Sequence, residues 1–271
     1  MTAKSIVFAI LFLLLRVHSF SQNVQRVVSL APSVTEIIYL IGAEDKLVGC
    51  TSFCTVAAND NVPEVGSAVE VNVEALFALQ PDLVLAMQLT KSQDIEAMRK
   101  LGLNVEVMES PKNFDEICTQ TLHIANCLGA QEKAQEEVDK ARKRVDEIRQ
   151  LAHKIQPQKI FFQLGANPIF TVLENTFMND LITICNGTNI AAGLTKGTLT
   201  REHVLMQNPD VIIVATMGGF GAEEMEVWKK YNRISAIQNN KIFLIDSETS
   251  CSPTPASFVQ ALEDVYRFVN Q

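Results

Sequence analysis

Positive charge is scarce in this 271-residue chain, which has 23 lysines and arginines against 31 aspartates and glutamates and a net charge of −8. Nucleic acids and anionic lipid surfaces repel such a chain, so the charge balance argues against both as partners but permits a basic protein partner. After residue 21 no apolar run approaches the about 20 residues that span a bilayer. The sequence therefore predicts a mature protein that is soluble and binds no nucleic acid.

The sequence also lacks the motifs of common secreted enzymes and of zinc sites. A hydrolase of the α/β type needs a Gly-x-Ser-x-Gly elbow, and none occurs. No Cys-x-x-Cys pair is present, and the four histidines are dispersed as His18, His123, His153 and His203. A zinc site needs its ligands close together, so we expect no bound metal, no cofactor and no catalysis. A secreted hydrolase is the alternative from another class of function.

The first 21 residues have the three parts of a secretory signal peptide. Lys4 gives the basic start, residues 6–15 are apolar, and Ser19 and Ser21 stand at the −3 and −1 positions of a cleavage site. The apolar run is too short for a membrane anchor. No cysteine stands at the cleavage point to carry a lipid. We therefore expect cleavage after Ser21 and export of the mature protein.

Six cysteines in an exported chain raise the question of disulfides. Cys118 and Cys127 fall in one predicted helix, where a spacing of roughly 13 Å is too long for a bridge. Both stand among apolar residues, so we expect buried free thiols. The other four cysteines offer two candidate disulfides, which are Cys50 with Cys54 and Cys185 with Cys251.

An internal repeat is the most informative feature of the sequence. Residues 72–86 and 200–215 share a capping residue, a glutamate two positions later, and a Pro-Asp pair that leads into a short apolar run. The glutamate is Glu74 in the first copy and Glu202 in the second, and the proline follows seven residues later in both. Proline ends the helix, and the continuous apolar run predicts a strand buried on both faces.

Each copy of the repeat belongs to a larger repeated unit. A basic residue, Arg26 or Lys159, precedes a short apolar strand, and a loop containing proline leads from that strand into a helix. Gly42 and Gly187 stand where a left-handed residue would end these helices. Strands that alternate with helices build parallel sheets covered on both faces. The sequence thus predicts an α/β fold with two lobes, each a parallel sheet flanked by helices.

One long helix is predicted between the lobes, over residues 130–155. Apolar residues recur there at helical spacing among glutamate, lysine and arginine, and the rise per residue makes the helix about 35 Å long. The first lobe then covers residues 24–128 and the second covers residues 158–271. A single stiff connection resists wide hinge motion, so we expect the lobes to open only slightly.

Segment 26–36, Arg-Val-Val-Ser-Leu-Ala-Pro-Ser-Val-Thr-Glu, is very similar to the first strand and turn of the helical-backbone periplasmic binding proteins, which carry cobalamin, ferric siderophores and haem. Segments 161–171 and 200–202 resemble the cobalamin-binding members. The resemblance covers essentially the whole mature chain. It implies a monomeric solute-binding component of an ABC importer, which captures a corrinoid in the periplasm and delivers it to a permease dimer in the inner membrane.

The resemblance also implies a role for Glu74 and Glu202. In the family, one glutamate at the outer tip of each lobe contacts basic residues of the permease dimer, and those positions match these two residues. The internal repeat independently marks them as equivalent. A simpler alternative is that each is a first-turn carboxylate favoured by the helix dipole, worth about 0.3–1 kcal/mol. The two roles are compatible.

The ligand is expected between the lobes, in loops at the carboxyl ends of the strands. Phe53 and Phe170 match positions at which the cobalamin-binding members place aromatic contacts, and core packing is the alternative for each. Loops of this kind supply the candidate ligand-binding residues, which are Ser33, Phe53, Ala68, Met87, Asn167, Phe170, Lys196, Phe220 and Ser250.

The expected cleft departs from the family pattern in its aromatic content. Ala68, Met87 and Lys196 stand where a well-known relative has tryptophan, and the single tryptophan, Trp228, lies elsewhere. Haem binders of this fold place tyrosine after the glycine that precedes the first docking helix, but a serine follows Gly66. Siderophore binders use several cleft arginines, whereas Lys196 is the only basic residue in the candidate loops. A corrinoid is therefore preferred, with a ferric siderophore or haem as alternatives.

Overall fold

The first lobe is a parallel four-stranded sheet with helices on its faces. The computed structural model describes residues 24–67, 70–216 and 219–271, so the expected signal peptide lies outside the described residues. The strands, in spatial order β2-β1-β3-β4, are β1 (Val27–Ser29), β2 (Leu47–Gly49), β3 (Leu83–Met87) and β4 (Val105–Met108). The helices are α1 (Pro32–Leu40), α2 (Val73–Ala78), α3 (Ser92–Lys100) and α4 (Phe114–Leu128), with short 3-10 turns at Glu44–Lys46 and Thr55–Ala57. Every strand pair is parallel, as predicted.

A single helix, α5 (Gln131–Ala152), joins the two lobes, as the sequence predicted. Near its start, Ala134 packs in the core of the first lobe. Four of its other buried side chains lie in a core cluster that holds second-lobe residues together with Phe114, Ile117 and Cys118 of α4, and these are Val138, Ala141, Val145 and Ile148. The helix therefore packs against both lobes.

The second lobe has a six-stranded sheet of mixed direction. Its strands are β5 (Gln158–Ala166), β6 (Ile169–Thr171), β7 (Gly187–Asn189), β8 (Thr198–Leu199), β9 (Val211–Ala215) and β10 (Ile242–Ile245). Its helices are α6 (Phe177–Ile184), α7 (Arg201–Gln207), α8 (Gly221–Lys229), α9 (Ser235–Gln238), α10 (Ser247–Cys251) and α11 (Pro255–Asn270). Strands β10, β9, β5 and β7 pair in parallel, as predicted.

The two remaining strands of this sheet correct the expectation of a purely parallel arrangement. Strands β6 and β8 pair antiparallel, β6 against the end of β5 and β8 against β6. Only residues 167–168 separate β5 from β6. A connection of two residues reverses the chain directly, and it is far too short for the crossover that parallel neighbours need.

Hydrogen bonds at equivalent positions explain the internal repeat. The Asp82 Oδ2 atom accepts the backbone N–H of Arg26 at 2.9 Å, and Asp210 Oδ2 accepts that of Lys159 at 2.8 Å. In the opposite direction, the backbone N–H of each aspartate donates at 2.8 Å to the carbonyl of the same basic residue. The two basic side chains also donate to carbonyls at the ends of α2 and α7. The Pro-Asp pair therefore ties the end of each helix to the start of the neighbouring strand.

The two predicted helix-ending glycines differ in the structure. Gly42 follows α1 with φ +68°, the left-handed conformation expected there. The prediction for Gly187 is wrong, because Asn186 takes the left-handed position after α6, with φ +58°. Gly187 instead begins β7, where a Cβ atom would lie 2.4 Å from Ile160 Cδ1 and 2.9 Å from the carbonyl oxygen of Ile182. Close packing, and not a turn, requires glycine there.

A direct contact between the lobes supplements α5. Phe114, the first residue of α4, stacks on Phe258 of α11 with ring centroids 4.7 Å apart. Its backbone N–H donates to the Oδ2 atom of Asp180, in α6, at 2.9 Å. Burial raises the pKa of Asp180, and the hydrogen bond from Phe114 opposes that rise. Stacking and a hydrogen bond across the boundary favour the small lobe motion expected from the sequence.

Within residues 24–67, 70–216 and 219–271, no helix combines the length and the apolar character needed to cross a bilayer. Helix α5 has enough residues, 22 in all. Its solvent-facing side is crowded with charged side chains, and such residues are costly in hydrocarbon.

The six cysteines bear on the two candidate disulfides and on one expected burial. All six are free thiols in the structure, so neither candidate disulfide is formed. Cys185 is buried with its Sγ atom 3.9 Å from the carbonyl oxygen of Leu262, and Cys251 lies against the hydroxyl of Ser250. Cys127, expected to be buried, is half-buried, because it packs at the margin of the core and its Sγ atom faces Glu106 in the edge strand β4.

Candidate functional site

Two cavities open between the lobes, and the smaller contains two of the predicted ligand-binding residues. It encloses about 230 Å³. The first lobe lines it with the loops that follow β1, β3 and β4, and the second lobe lines it with the start of α6 and the end of α10. Ser33 and Met87 belong to this lining. Ser250 is buried next to the lining residue Cys251 and donates its hydroxyl to the carbonyl of Asp246 at 2.7 Å.

The larger cavity, of about 710 Å³, is acidic. Helix α1 and the turn at Thr55–Ala57 line it from the first lobe, and residues from 246 to 260 line it from the second. Three carboxylates face this space, namely Glu36, Asp246 and Glu248. Among the described residues that line it, none is a lysine or an arginine. Negative charge therefore dominates this part of the cleft.

Glu36 was missed as a site residue from the sequence, although it lies in the quoted opening segment. Burial raises the pKa of its carboxyl to about 7, and the neighbouring charges of Glu248 and Cys54 act in the same direction. Near neutral pH this side chain is therefore a mixture of acid and carboxylate, able to donate or to accept a hydrogen bond. Its position one turn after Pro32, at the carboxyl edge of β1, was the signal that could have identified it.

Cys50 and Cys54 lie behind the cleft as a buried pair of thiols. Thr35 donates its hydroxyl to Cys54 Sγ at 3.0 Å, and the hydroxyl of Thr51 lies 3.2 Å from the same atom. The hydrogen bond from Cys50 lowers the pKa of Cys54, with Thr35 and Thr51 acting in the same direction and burial opposing them. Two hydroxyl groups thus lie against Cys54 Sγ, close to Glu36, whose pKa is raised in part by this thiol.

Exposed apolar side chains stand at the edges of the cleft loops. Phe53 is 60% exposed and lies two residues before the Thr55–Ala57 turn, and Phe170 is 46% exposed on β6, but neither residue lines a cavity. Leu89, which lines the smaller cavity, is 75% exposed. The sequence analysis overlooked Leu89, although an apolar residue in a turn after a buried strand is itself a signal. Exposed apolar groups around a polar cleft are typical of ligand or protein contact surfaces.

Several other candidate residues lie outside both cavities. Asn167 and Lys196 are exposed on the loops beside β6 and β8, and neither lines a cavity. Phe220 is partly buried and packs against the core of the second lobe, which is a structural role. Ala68 lies outside the described residues. Of the candidate ligand-binding residues, Ser33, Met87 and Ser250 therefore lie together at the smaller cavity, and the other described ones lie outside both cavities.

The repeated glutamates occupy equivalent positions on two capped helices. Glu74 lies in the first turn of α2 and Glu202 in the first turn of α7, and both are exposed. Asn72 and Thr200 cap these helices by accepting the backbone N–H three residues later, at 2.9 and 3.3 Å. The pKa of Glu202 is lowered by its own backbone N–H, and then by Thr200. Glu74 and Glu202 therefore occupy the same first-turn position on two helices of the same kind.

Each glutamate has an exposed apolar neighbour one turn later. Phe77 stands three residues after Glu74, and Leu205 stands three residues after Glu202, with Met206 beside it. Of nine large apolar side chains exposed in the described residues, seven lie on these two helices or on the cleft loops. Residues three apart share one face of a helix. Each lobe thus presents a carboxylate and an apolar group on one helical face.

A buried polar network supports α7 in the second lobe. Arg201 Nη2 donates to both carboxylate oxygens of Glu224 at 2.8 Å, and its guanidinium lies 4.7 Å from the ring centroid of Trp228. Gln163 joins the network by donating to Glu224 at 2.9 Å and accepting the indole N–H of Trp228 at 2.6 Å. The single tryptophan of the chain therefore supports a helix and does not line the cleft.

Comparison with known proteins agrees with this geometry. The sequence model of the family described as periplasmic binding protein matches residues 27–249. The uncharacterised ABC transporter substrate-binding lipoprotein YvrC of Bacillus subtilis is 30% identical over 259 residues, which cover 89% of this chain and 80% of that protein. A vitamin B12-binding protein of Yersinia pestis is 30% identical over 199 residues, which cover 72% of this chain and 71% of that protein.

A solved structure extends the similarity to the fold. The periplasmic vitamin B12-binding protein BtuF of Vibrio cholerae matches with a TM-score of 0.79 and 26% sequence identity, over 92% of this chain and 97% of that one. These relatives are binding proteins of transport systems and not enzymes.

Proposed function

Because the chain belongs to the periplasmic binding protein family, we propose that it captures a corrinoid between its lobes and delivers it to the permease of an ABC importer. As a member of this family it is a substrate-binding component of transport and not an enzyme. The proposal adds the ligand, the permease dimer in the inner membrane as the partner, and a monomeric state in the periplasm after cleavage of the signal peptide near Ser21.

The acidic cleft with apolar edges is the observation that carries the choice of ligand. A corrinoid is a broad ring with apolar faces, and the amide groups at its rim donate hydrogen bonds. Phe53, Leu89 and Phe170 provide exposed apolar surface for the faces. Glu36 and Glu248 provide acceptors for the amides.

The same charges disfavour the two alternative ligands. Haem carries two carboxylates, and many ferric siderophores are anionic, so either would face Glu36, Asp246 and Glu248. Repulsion between like charges in a partly buried site raises the cost of binding. A binder of such ligands would need arginines at these positions to supply paired hydrogen bonds.

The two glutamate helices support the choice of partner. A permease dimer offers two equivalent basic surfaces, and this monomer offers two matched carboxylates on equivalent helices, at Glu74 and Glu202. Phe77 and Leu205 add apolar contact area beside each carboxylate. Complementary charge orients the encounter, and apolar contacts lengthen the lifetime of the complex.

Calorimetric titration of the mature protein tests the ligand directly. We expect heat and one-to-one binding with cyanocobalamin and cobinamide, and no measurable heat with haemin or a ferric catecholate siderophore. Leu89→Ala should weaken corrinoid binding, whereas Leu151→Ala, which removes an equally apolar exposed side chain from the linking helix, should not. Binding of haemin or of the siderophore without corrinoid binding would replace the proposed ligand by that alternative.

A further inference from the structure

Three side chains that bind metals meet outside the cleft, on the first lobe. Glu106 lies in the edge strand β4, and His123 and Cys127 lie on α4. Their potential ligand atoms all lie within 4.8 Å of one another. Sequence spacing does not reveal this group, because Glu106 stands 17 residues before His123. The fold places Glu106 beside the face of α4 on which His123 and Cys127, four residues apart, lie next to each other.

The distances between these atoms suit a small tetrahedral cation. Bond lengths of about 2.0–2.3 Å to nitrogen, oxygen and sulfur place neighbouring ligand atoms about 3.3–3.8 Å apart in a tetrahedron. Cys127 Sγ lies 3.7 Å from Glu106 Oε2 and 3.9 Å from His123 Nε2. The third pair, His123 Nε2 and Glu106 Oε1, is in direct hydrogen-bond contact and must separate to admit an ion. Only that side-chain pair has to move.

The types of ligand select the class of metal. A thiolate and an imidazole favour borderline and soft ions such as Zn²⁺, whereas Mg²⁺ and Ca²⁺ prefer oxygen ligands alone. Three protein ligands leave a fourth tetrahedral position for water or an external ligand. Glu106 and Cys127 are half-buried and His123 is exposed, so an ion can enter from solvent and still be held against the protein.

We propose that Glu106, His123 and Cys127 form a binding site for Zn²⁺ or a similar divalent transition-metal ion. The bound ion joins the edge strand β4 to helix α4, two elements that otherwise meet here through a histidine–carboxylate contact. It also coordinates the half-buried Cys127 sulfur in the thiolate form that metals bind. The site is independent of the ligand cleft, since none of the three residues lines either cavity between the lobes.

Metal titration of the full mature protein tests the site. In metal-free protein we expect one equivalent of Zn²⁺ to bind by calorimetry, and one equivalent of Co²⁺ to give the near-ultraviolet thiolate-to-metal absorption band. Cys127→Ser should abolish that band and weaken Zn²⁺ binding by at least about tenfold, and His123→Ala should weaken it similarly. All three side chains are at least partly exposed, so these changes are expected to preserve folding.

Matched controls separate this site from incidental binding. His153→Ala removes another exposed histidine and Cys251→Ser another incompletely buried thiol, and neither should change the Co²⁺ band or the Zn²⁺ affinity. Zn²⁺ should also raise the unfolding temperature of the unaltered protein but not that of Cys127→Ser, because a ligand stabilises only the state it binds. Zn²⁺ binding that is absent, or that survives both Cys127→Ser and His123→Ala, would overturn the proposal.

Discussion

Both lobes present an exposed glutamate on a short helix, but different interactions hold the two helices in place. In the first lobe, α2 is held by the burial of Leu76 and by Arg26, whose guanidinium donates to the carbonyl of Leu79 at 2.6 Å on the exposed surface. In the second lobe, α7 is held by the partly buried Arg201 and the buried Glu224. The exposed glutamate nevertheless occupies the same place in both helices. Both helices also bury one apolar residue, Leu76 or Val204, and accept a basic side chain at a carbonyl near their ends, so the ion pair beneath α7 is an addition in the second lobe.

The cleft shows a second difference between the lobes. The first lobe supplies the exposed Leu89 and the titrating Glu36, whereas the second supplies Phe177, Asp246 and Glu248. Both lobes thus contribute apolar and acidic groups, but Glu36 is the group whose pKa is strongly shifted. The linking helix, in contrast, packs in core clusters of both lobes.

Charge reversal at both glutamates should have the largest effect. Glu74→Lys combined with Glu202→Lys should abolish corrinoid import in cells, because like charges then face the basic permease, while calorimetric affinity for the ligand stays unchanged. Each single reversal should reduce import to a similar extent if the helices are equivalent. Glu132→Lys, which changes an exposed first-turn glutamate of the linking helix, is the control and should import normally. Normal import by the double variant would contradict the docking role.

Because Arg201 and Arg26 make different interactions, their replacement should lower the free energy of unfolding by different amounts. Arg201→Met should lower the free energy of unfolding by about 3 kcal/mol, because it leaves Glu224 buried without its ion-pair partner. Arg26→Met should cost less than about 1.5 kcal/mol, since it removes exposed hydrogen bonds to carbonyls that water can replace. Urea unfolding measures both. If the double variant Arg201→Met, Glu224→Leu loses less stability than Arg201→Met alone, the cost comes from the unpaired carboxylate of Glu224. Equal losses of stability for Arg26→Met and Arg201→Met would contradict the proposed difference between the lobes.

Truncation of one aromatic side chain in each lobe should show whether both hold the ligand. Phe53→Ala and Phe170→Ala should each weaken corrinoid binding by about 1–2 kcal/mol, or roughly 5–30-fold in Kd, through lost apolar contact. Phe77→Ala, which removes an exposed ring from the docking helix, is the matched control and should leave Kd unchanged. An effect from only one lobe would show that the ligand is held on one side of the cleft.

The smallest effect concerns the pH dependence of stability. Glu36 has a folded-state pKa of about 7 against an ordinary value of 4.5, so the folded protein holds this proton more tightly than the unfolded chain does. Stability from this group is present below about pH 4.5 and is lost as pH rises through 7. Allowing for partial exposure, the unaltered protein should lose about 1–2 kcal/mol relative to Glu36→Gln between pH 5 and 8.

Urea unfolding at the two pH values provides the measurement. Glu248→Gln should reduce the pH dependence without removing it, because burial is the larger cause of the shift and Glu248 is the second. An identical pH dependence in the unaltered protein and in Glu36→Gln would show that this carboxyl is not perturbed.

The sequence predicted the fold well because the fold repeats itself. The Pro-Asp pairs, the basic residues before the first strand of each lobe and the amphipathic segment were local patterns, and each corresponds to a local structure. The exceptions depended on packing at a distance. The sequence pattern predicted a helix end at Gly187, whereas the close packing of Gly187 against Ile160 is a contact between distant residues. The antiparallel strands β6 and β8 are too short to carry a distinct pattern.

The site was less predictable, because a cleft is formed by residues from separate segments. Ser33 and Met87 could be placed from strand ends alone. The raised pKa of Glu36 depends on burial and on the charge of Glu248, and neither can be inferred from the residues next to Glu36 in the sequence. Phe220 has the right composition for a binding loop, yet the structure packs it against the core. Spacing rules for metal sites likewise could not join Glu106 to His123 and Cys127.

Hydrogen exchange of the backbone amides, with and without cyanocobalamin, tests most directly whether the ligand lies between the two lobes. We predict slower exchange in both lobes on ligand addition, at residues 51–56 and 88–90 of the first and at residues 167–171 and 246–252 of the second, with α2 and α7 unchanged. Protection confined to one lobe, or absent from both sets of loops, would contradict the proposal that this protein holds a corrinoid in its cleft.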